Sequence, residues 1–272
     1  HRDLHSFPTR RSSDLTKEQD NLKLETATSR EVADYLEECS GIILPTGSLE
    51  QHGPIGLIGT DALCVTTISE RAATESTMLI APTLYYTPAQ FNMSFAGTVS
   101  VTARAFAQLF EDILRSLHRQ GFKFIYVLNG HGANLAPMRS AVHDLYLDLD
   151  DRAPKVKLRS WWDYPTVNAL RNELYGDWEG MHGTPSEVAI TQASVRVVDS
   201  SNHQPPTLLS KEFIRDHAGD FHGPASEHAL DFPDGRVGSH SELATIEHGE
   251  ALIAAAASAL IGEFTSWISS PT

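Results

Sequence analysis

Phe122-Lys123-Phe124-Ile125-Tyr126-Val127-Leu128 runs without a break into Asn129-Gly130-His131-Gly132-Ala133-Asn134. A continuous apolar run bounded by Gly121 and an Asn-Gly pair reads as a strand buried on both faces. Before it, residues 102–120 form an amphipathic helix. Phe106, Leu109, Phe110, Ile113, Leu114 and Leu117 make its apolar face, and Gly121 ends it. After the loop, a second helix is expected over 135–149. Helix, buried strand and helix in succession imply an α/β fold with a mainly parallel sheet covered on both faces.

The same alternation extends outward. Ser29 is read as the cap of a helix over 30–39, stopped by Gly41. Ile42-Ile43-Leu44-Pro45 is read as a short buried strand, residues 61–75 as a helix, and Met78-Leu79-Ile80-Ala81 as a strand. Lys155 to Trp162 is another strand followed by a helical stretch. Further helices are placed at 187–194 and 243–268. The Gly/Pro/His-rich stretch 216–240 reads as a long functional or oligomer-contacting loop.

Composition narrows the function. A chain of 272 residues with a formal charge of −14 disfavours nucleic acid, whose phosphates need clustered Lys and Arg. The same charge disfavours an anionic membrane surface. No apolar run is read as a membrane span; the alanine-rich 251–262 stretch is the longest and is flanked by Glu250 and Glu263. Cys39 and Cys64 make no disulfide scaffold, which suits a cytoplasmic protein. Residues 1–15 read as a non-native or disordered tail. Ser6 to Leu15 back-translates to a common sequencing-adapter oligonucleotide, so the natural start is expected to be lost or to lie near Thr16. Residues 16–272 show no repeat and no linker, and are expected to form one domain.

The chemistry lies after two of the strands. Glu50-Gln51-His52-Gly53-Pro54 follows the strand at 42–45, with Asp61 eleven residues after the glutamate. Glu50 and His52, two apart, share a face of an extended segment. His131 follows the strand at 122–128. In parallel sheets, ligands sit outside the carboxyl ends of the strands, so the two loops can converge there. Alone, a Glu-x-His pair is ordinarily a solvated loop, and Asn-Gly-His-Gly a turn. Together at strand ends they offer two carboxylates and two imidazoles to a hydrolytic metal centre. His217, His222, His228 and His240 match no compact metal motif. Trp161 and Trp162 end a strand and read as core or interface.

The chain resembles the creatininase (creatinine amidohydrolase) family. The matching segments are Leu44 to Pro54 with Thr60-Asp61, Phe95 to Ser100, Asn129 to Asn134, His182 to Glu187, and Gly235 to Gly238 before Ala244-Thr245 and Gly249. The resemblance covers roughly residues 40–260. It implies a three-layer α/β/α sandwich, often a homohexamer, with two divalent metal ions per chain. Glu50, Asp61 and His131 are implied ligands of one ion; His52 and Asp61 hold the other, with Asp61 bridging. The family's name-giving enzyme has a second-metal glutamate where this chain has Ala133. Glu187, which matches the family's glutamate five residues after the His182-like histidine, is expected to replace it, with Asp177 or Glu179 as fallbacks.

Other departures are Asn92 for a frequent family histidine, Ala96 for a proline, and Ala89 for a substrate-touching serine. They are read as changing the substrate away from creatinine without touching the metal centre. The expected reaction is hydrolysis of a C–N bond in a small-molecule amide, cyclic amide or formamide by a hydroxide bridging two ions. Zinc, manganese and iron(II) all suit the ligand set. His182 is expected to carry the proton and, with Glu187, to serve catalysis. Gly132 and Ala133 are expected to contact substrate, with an oxyanion held by the backbone N–H groups around Gly132, and Trp178 to wall the pocket. Alternatives are a peptidase or keto-ring hydrolase of the same family, a lyase or isomerase using the same metals, and a non-catalytic oligomeric binding protein.

Overall fold

The computed structural model describes residues 23–199, 204–217 and 221–270. The expected tail at 1–15 lies outside the described residues. In chain order the elements are α1 (Ser29–Glu38), β1 (Gly41–Thr46), α2 (Thr60–Thr74), α3 (Ala103–Gln120), β2 (Phe124–Asn129), α4 (Leu135–Leu149), β3 (Lys155–Ser160), α5 (Pro165–Tyr175), α6 (Pro185–Ser194), α7 (Lys211–Asp216), α8 (Ala225–Asp231) and α9 (Ile246–Ile268).

The three strands are parallel in the order β1-β2-β3. Ile43 pairs with Tyr126 and Tyr126 with Lys157; at the carboxyl ends Thr46 pairs with Asn129 and Asn129 with Ser160. The two-residue period of a strand then sorts the core into two layers. Ile43, Tyr126 and Leu128 pack with α2, α5, α6 and α9. Ile42, Leu44, Ile125 and Val127 pack with α3 and α4. The result is a sheet between two helical layers, as expected.

Several boundaries differ for identifiable reasons. The cap of α1 is Thr28, because Thr28 and Glu31 form a reciprocal capping box there. The expected strand at 78–81 makes isolated bridges to β1, through Ile80 to Ile43, instead of a ladder. Pro45, the next residue of β1 whose nitrogen faces this segment, has no N–H to donate, so the ladder cannot extend. The strand expected to reach Trp162 ends at Ser160, and residues 161–163 form a single 3-10 turn. The supposed loop at 216–240 contains α8.

α9 starts at Ile246, capped by Thr245. Contrary to the reading of the sequence, it is long and apolar enough by composition to cross a membrane. In the structure Leu252, Ile253, Ala256, Ala257, Leu260 and Phe264 are buried against the α2, α5 and α6 layer.

The strand ends press directly on the first turn of α2. A Cβ on Gly47 would stand 2.2 Å from the Ala62 nitrogen, and one on Gly130 2.4 Å from the Asp61 carbonyl oxygen. Neither neighbour is a flexible side chain, so the backbone would have to move. Gly47→Ala is therefore expected to cost about 1–3 kcal/mol by overpacking. Gly262→Ala, in α9 with nothing within 4 Å of the added carbon, is expected to gain up to ~1 kcal/mol. Urea unfolding of both variants checks the contrast; equal midpoints would contradict the close approach.

Candidate metal centre

Four parts of the fold bring polar side chains to the carboxyl end of the sheet. The loop after β1 carries Ser48, Glu50, Gln51 and His52, and is fixed by Glu50 N–H donating to the Ile58 carbonyl at 2.8 Å. The first turn of α2 carries Asp61. The loop after β2 carries His131, and the approach to α6 carries His182 and Glu187. Glu50, His52, Asp61, His131, His182 and Glu187 are all buried.

Backbone carbonyls orient all three imidazoles. His52 Nδ1 lies 3.1 Å from the Glu50 oxygen, His131 Nε2 2.7 Å from the Pro88 oxygen, and His182 Nε2 2.6 Å from the Gln51 oxygen. A carbonyl only accepts, so each of these nitrogens carries the hydrogen. The opposite nitrogens are then aimed at carboxylates. His52 Nε2 is 2.8 Å from Asp61 Oδ1, while His131 Nδ1 is 3.0 Å from Asp61 Oδ2 and 3.1 Å from Glu50 Oε1. His182 Nδ1 is 3.6 Å from Glu50 Oε1. Glu50 Oε1 is buried yet accepts no hydrogen bond among the described residues.

A bare imidazole lone pair facing a carboxylate oxygen is repulsive, so a cation or a proton must stand between them. The electrostatics follow that demand. Burial disfavours charge on His52, but Asp61 overrides it and pushes the imidazole up to about 10. His131 is likewise raised well above its usual range: burial opposes the charge, and Glu50 and Asp61 outweigh it. Burial also opposes charge on Asp61, but His52 and His131 hold its carboxyl well below the usual range. Burial raises Glu50, with His131 offsetting part of the effect. Glu187 is raised to about 7 by burial, against the pull of His52.

Among the described residues, three groups of side chains place ligand atoms within 4.8 Å of one another: Glu50, Asp61 and His131; His52, Asp61 and Glu187; and Glu50, His52 and His182. Oxygen and imidazole donors in this arrangement fit divalent ions. The first group unites the side chains expected around one ion. The second adds Glu187 to His52 and Asp61, the pair left without the further carboxylate that Ala133 replaces. Glu187 has a second task that the sequence reading missed: its Oε2 accepts from Thr184 N–H at 2.9 Å and from Thr184 Oγ1 at 2.8 Å, capping α6. The Thr-x-x-Glu spacing before an apolar run was the readable signal.

Other expected positions fall elsewhere. Asp177 is exposed. Glu179 is buried but engaged by Arg171, whose Nη2 is 2.8 Å from its Oε1; neither acid joins a ligand group. A cavity of about 340 Å³ opens over the centre, lined by Glu50, Asp61, His131, His182, Glu187 and Gly132. Ala133 does not line it, because successive residues of the tight turn 132–134 point different ways. Trp178 does not line it either. Its ring packs edge-on to His240 at 5.4 Å, and Trp162 joins the lining with Asp163 and Arg171. Nothing in the order of residues 161–178 distinguished these tryptophans. His217, His222 and His228 stack around Phe91 and Phe213, but among the described residues they form no ligand group, and His240 pairs with Glu242.

Asn92 requires a correction. It touches the centre directly. Gln51 Oε1 accepts from Gly53 N–H at 2.8 Å, so Gln51 Nε2 donates to Asn92 Oδ1 at 2.7 Å and to the Gly235 carbonyl at 2.9 Å. Asn92 Nδ2 therefore donates to Glu50 Oε2 at 2.8 Å. Ser48 Oγ similarly donates to Asp61 Oδ2 at 2.8 Å. Such outer partners orient ligands.

The profile of the family described as creatinine amidohydrolase (creatininase) matches residues 25–263. The chain is 30% identical to the creatinine amidohydrolase of Pseudomonas putida over 188 residues, 61% of this chain and 70% of that one. It is 31% identical over 109 residues to the 3-dehydro-scyllo-inosose hydrolase of Thermotoga maritima, covering 40% of this chain and 35% of that one. To the mycofactocin precursor peptide peptidase of Mycobacterium ulcerans it is 34% identical over 113 residues, covering 38% and 45%. The matched stretches thus span less than half of the latter two relatives. A solved creatininase shares the fold with a TM-score of 0.77 at 23% identity, over 92% of this chain and 99% of that one. Solved creatininases include a Zn–Zn form and a manganese form, at TM-scores of 0.75 and 0.73.

A proton held on His52 must leave before its Nε2 can ligate. With His52 near 10, protonation persists at neutral pH, so cation binding releases protons and tightens as pH rises toward that value. Titrating zinc into chelator-treated protein at pH 7.5 in buffers of different ionisation enthalpy should show release of at least about one proton per chain from the imidazoles. A heat independent of buffer would contradict this account.

Proposed function

The chain belongs to the creatininase family, whose members are hydrolases, and we propose from that premise that it is a metal-dependent amidohydrolase acting on the C–N bond of a small molecule. The observation that carries this reading is the buried convergence of Glu50, His52, Asp61, His131 and Glu187. Glu50, Asp61 and His131 would hold one divalent ion, and His52, Asp61 and Glu187 the other. Asp61 faces His52 with Oδ1 and His131 with Oδ2, which suits a bridging carboxylate. Zinc, manganese or iron(II) fits these donors. Such ions, when bound, lower the pKa of water between them and so supply a nucleophile near neutral pH.

The chain's own residues do the rest. His182 Nε2 is committed to the Gln51 carbonyl, so Nδ1 is the nitrogen left to pass a proton to the leaving amine. The backbone N–H groups around Gly132 would donate to the developing oxyanion. The Gln51–Asn92 relay holds Glu50 in orientation. A cavity of about 340 Å³ lies at the small end of ligand sites, which favours a compact lactam, formamide or similar amide over a long peptide. Residues 16–272 would act as one domain in a cytoplasmic homohexamer; a monomer by light scattering at micromolar concentration would contradict the assembly.

Metal analysis of protein purified without chelator is expected to find close to two ions per chain, and Asp61→Ala to lose both. Glu187→Gln keeps a residue type able to cap α6 and should empty only the His52 side. His182→Ala should keep both ions and lower turnover by about 10²–10⁴, read on whichever lactam, N-formyl compound or dipeptide proves active in a screen. Full metal retention by Asp61→Ala would overturn the bridging assignment. Activity confined to peptides would overturn the small-amide reading.

A further inference from the structure

Arg171, on α5, is the one lysine or arginine among the described residues that line the cavity over the metal centre. It is 14% exposed and held on several sides. Its Nε donates to Glu179 Oε1 at 2.9 Å, and its Nη2 lies 2.8 Å from the same oxygen. Ser186 Oγ donates to that oxygen as well. The guanidinium carbon stands 5.6 Å from the ring centre of buried Trp161.

These contacts occupy one edge of the guanidinium, the side formed by Nε and Nη2. The other edge, formed by Nη1 and Nη2, has no acceptor on Nη1 among the described residues. That edge offers two parallel N–H groups, the fork that matches a carboxylate in bidentate fashion. Desolvating such donors without a partner is costly, so a cavity-lining guanidinium is well matched to a ligand oxygen. Its rigidity means that little side-chain entropy is lost when the ligand arrives.

We propose that Arg171 is the substrate-anchoring residue of this cavity, and that the amide cleaved at the metal centre carries a carboxylate away from the scissile bond. The substrate class is then an N-acyl amino acid, an N-formyl amino acid or a carboxylated lactam. The proposal rests on the metal-dependent amidohydrolase reading and adds the group that selects the substrate. Asp163, also in the lining, is exposed, and among the described residues it does not pair with Arg171.

Hydroxamates test both levels separately, because their metal-binding end can be held constant. Zinc-loaded protein is titrated calorimetrically with monohydroxamates of malonic, succinic and glutaric acid, and with matched compounds ending in a carboxamide or a methyl group. At one chain length the carboxylate is expected to bind roughly tenfold or more tightly than the methyl compound. The double variant Arg171→Gln/Glu179→Gln removes the charge without leaving a buried ion, and should abolish the advantage while leaving the methyl compound unchanged. Arg171→Lys keeps a cation opposite Glu179 but not the fork, and should lose most of the advantage; it decides the matter if the double variant does not fold. Equal binding of carboxylate and methyl compounds at every length overturns the proposal, as does an advantage that survives both variants. A carboxamide that binds as tightly as the carboxylate overturns the substrate class. Failure of every hydroxamate to bind overturns the metal reading, and the proposal with it.

Discussion

Everything at the carboxyl end of the sheet depends on how closely β1 and β2 approach the first turn of α2. Gly47 and Gly130 leave the backbone of Asp61 and Ala62 almost in contact with the two strand ends. That contact places one carboxylate between two loops that are far apart in sequence. With Asp61 so placed, His52 and His131 meet it from opposite sides, and Glu50 closes the group. A side chain at either glycine would separate the strand ends from the helix, and the clustered acids and histidines with them. The apolar layers on both faces of the sheet hold the contact shut.

Much of this was legible in the residues. The apolar run at 122–128, the amphipathic face of 102–120 and the two strand-end motifs led to a covered parallel sheet with Glu50, His52, Asp61 and His131 at one end, because these signals are local. Glu187 was legible only through the family resemblance, although Thr184 three residues earlier announced its capping role. What the sequence could not show is set by contacts across long separations. Nearer in sequence, Arg171 engages Glu179, which joins no ligand group among the described residues. Trp178 packs on His240, so that Trp162 reaches the cavity. Asn92 reaches Glu50 across 42 residues, which no period or spacing predicts.

The polar centre is also unusual in how little of it is left to side-chain freedom. Each imidazole donates to a main-chain carbonyl, and each of the carboxylates Glu50, Asp61 and Glu187 accepts from a neighbouring Asn, Ser or Thr. Buried charge is tolerable only when it is satisfied in this way. The same bonds select which nitrogen and which oxygen face inward, so that chemistry and stability draw on one set of contacts. Glu187 shows this most plainly, since one of its oxygens caps a helix while the residue as a whole joins the group with His52 and Asp61.

The strap formed by residues 235–237 sets the order in which the site can be completed during synthesis. Gln51 donates to the Gly235 carbonyl, and His182 bridges to Val237, so the earliest motif of the centre is tied to a late stretch of the chain. Arg236, buried between them, joins Asp234, Glu242 and the Gln204 carbonyl, and its side chain fills the space over Gly53. A nascent chain that has emerged as far as α6 already carries Glu50, His52, Asp61, His131 and Glu187, and Gln51 and His182 have met each other and Asn92, but their contacts with Gly235 and Val237 are still missing. The clasp from residues 235–237 therefore closes over the cluster only after translation has passed residue 237, and a chain stalled before that point carries the clustered acids and histidines without it.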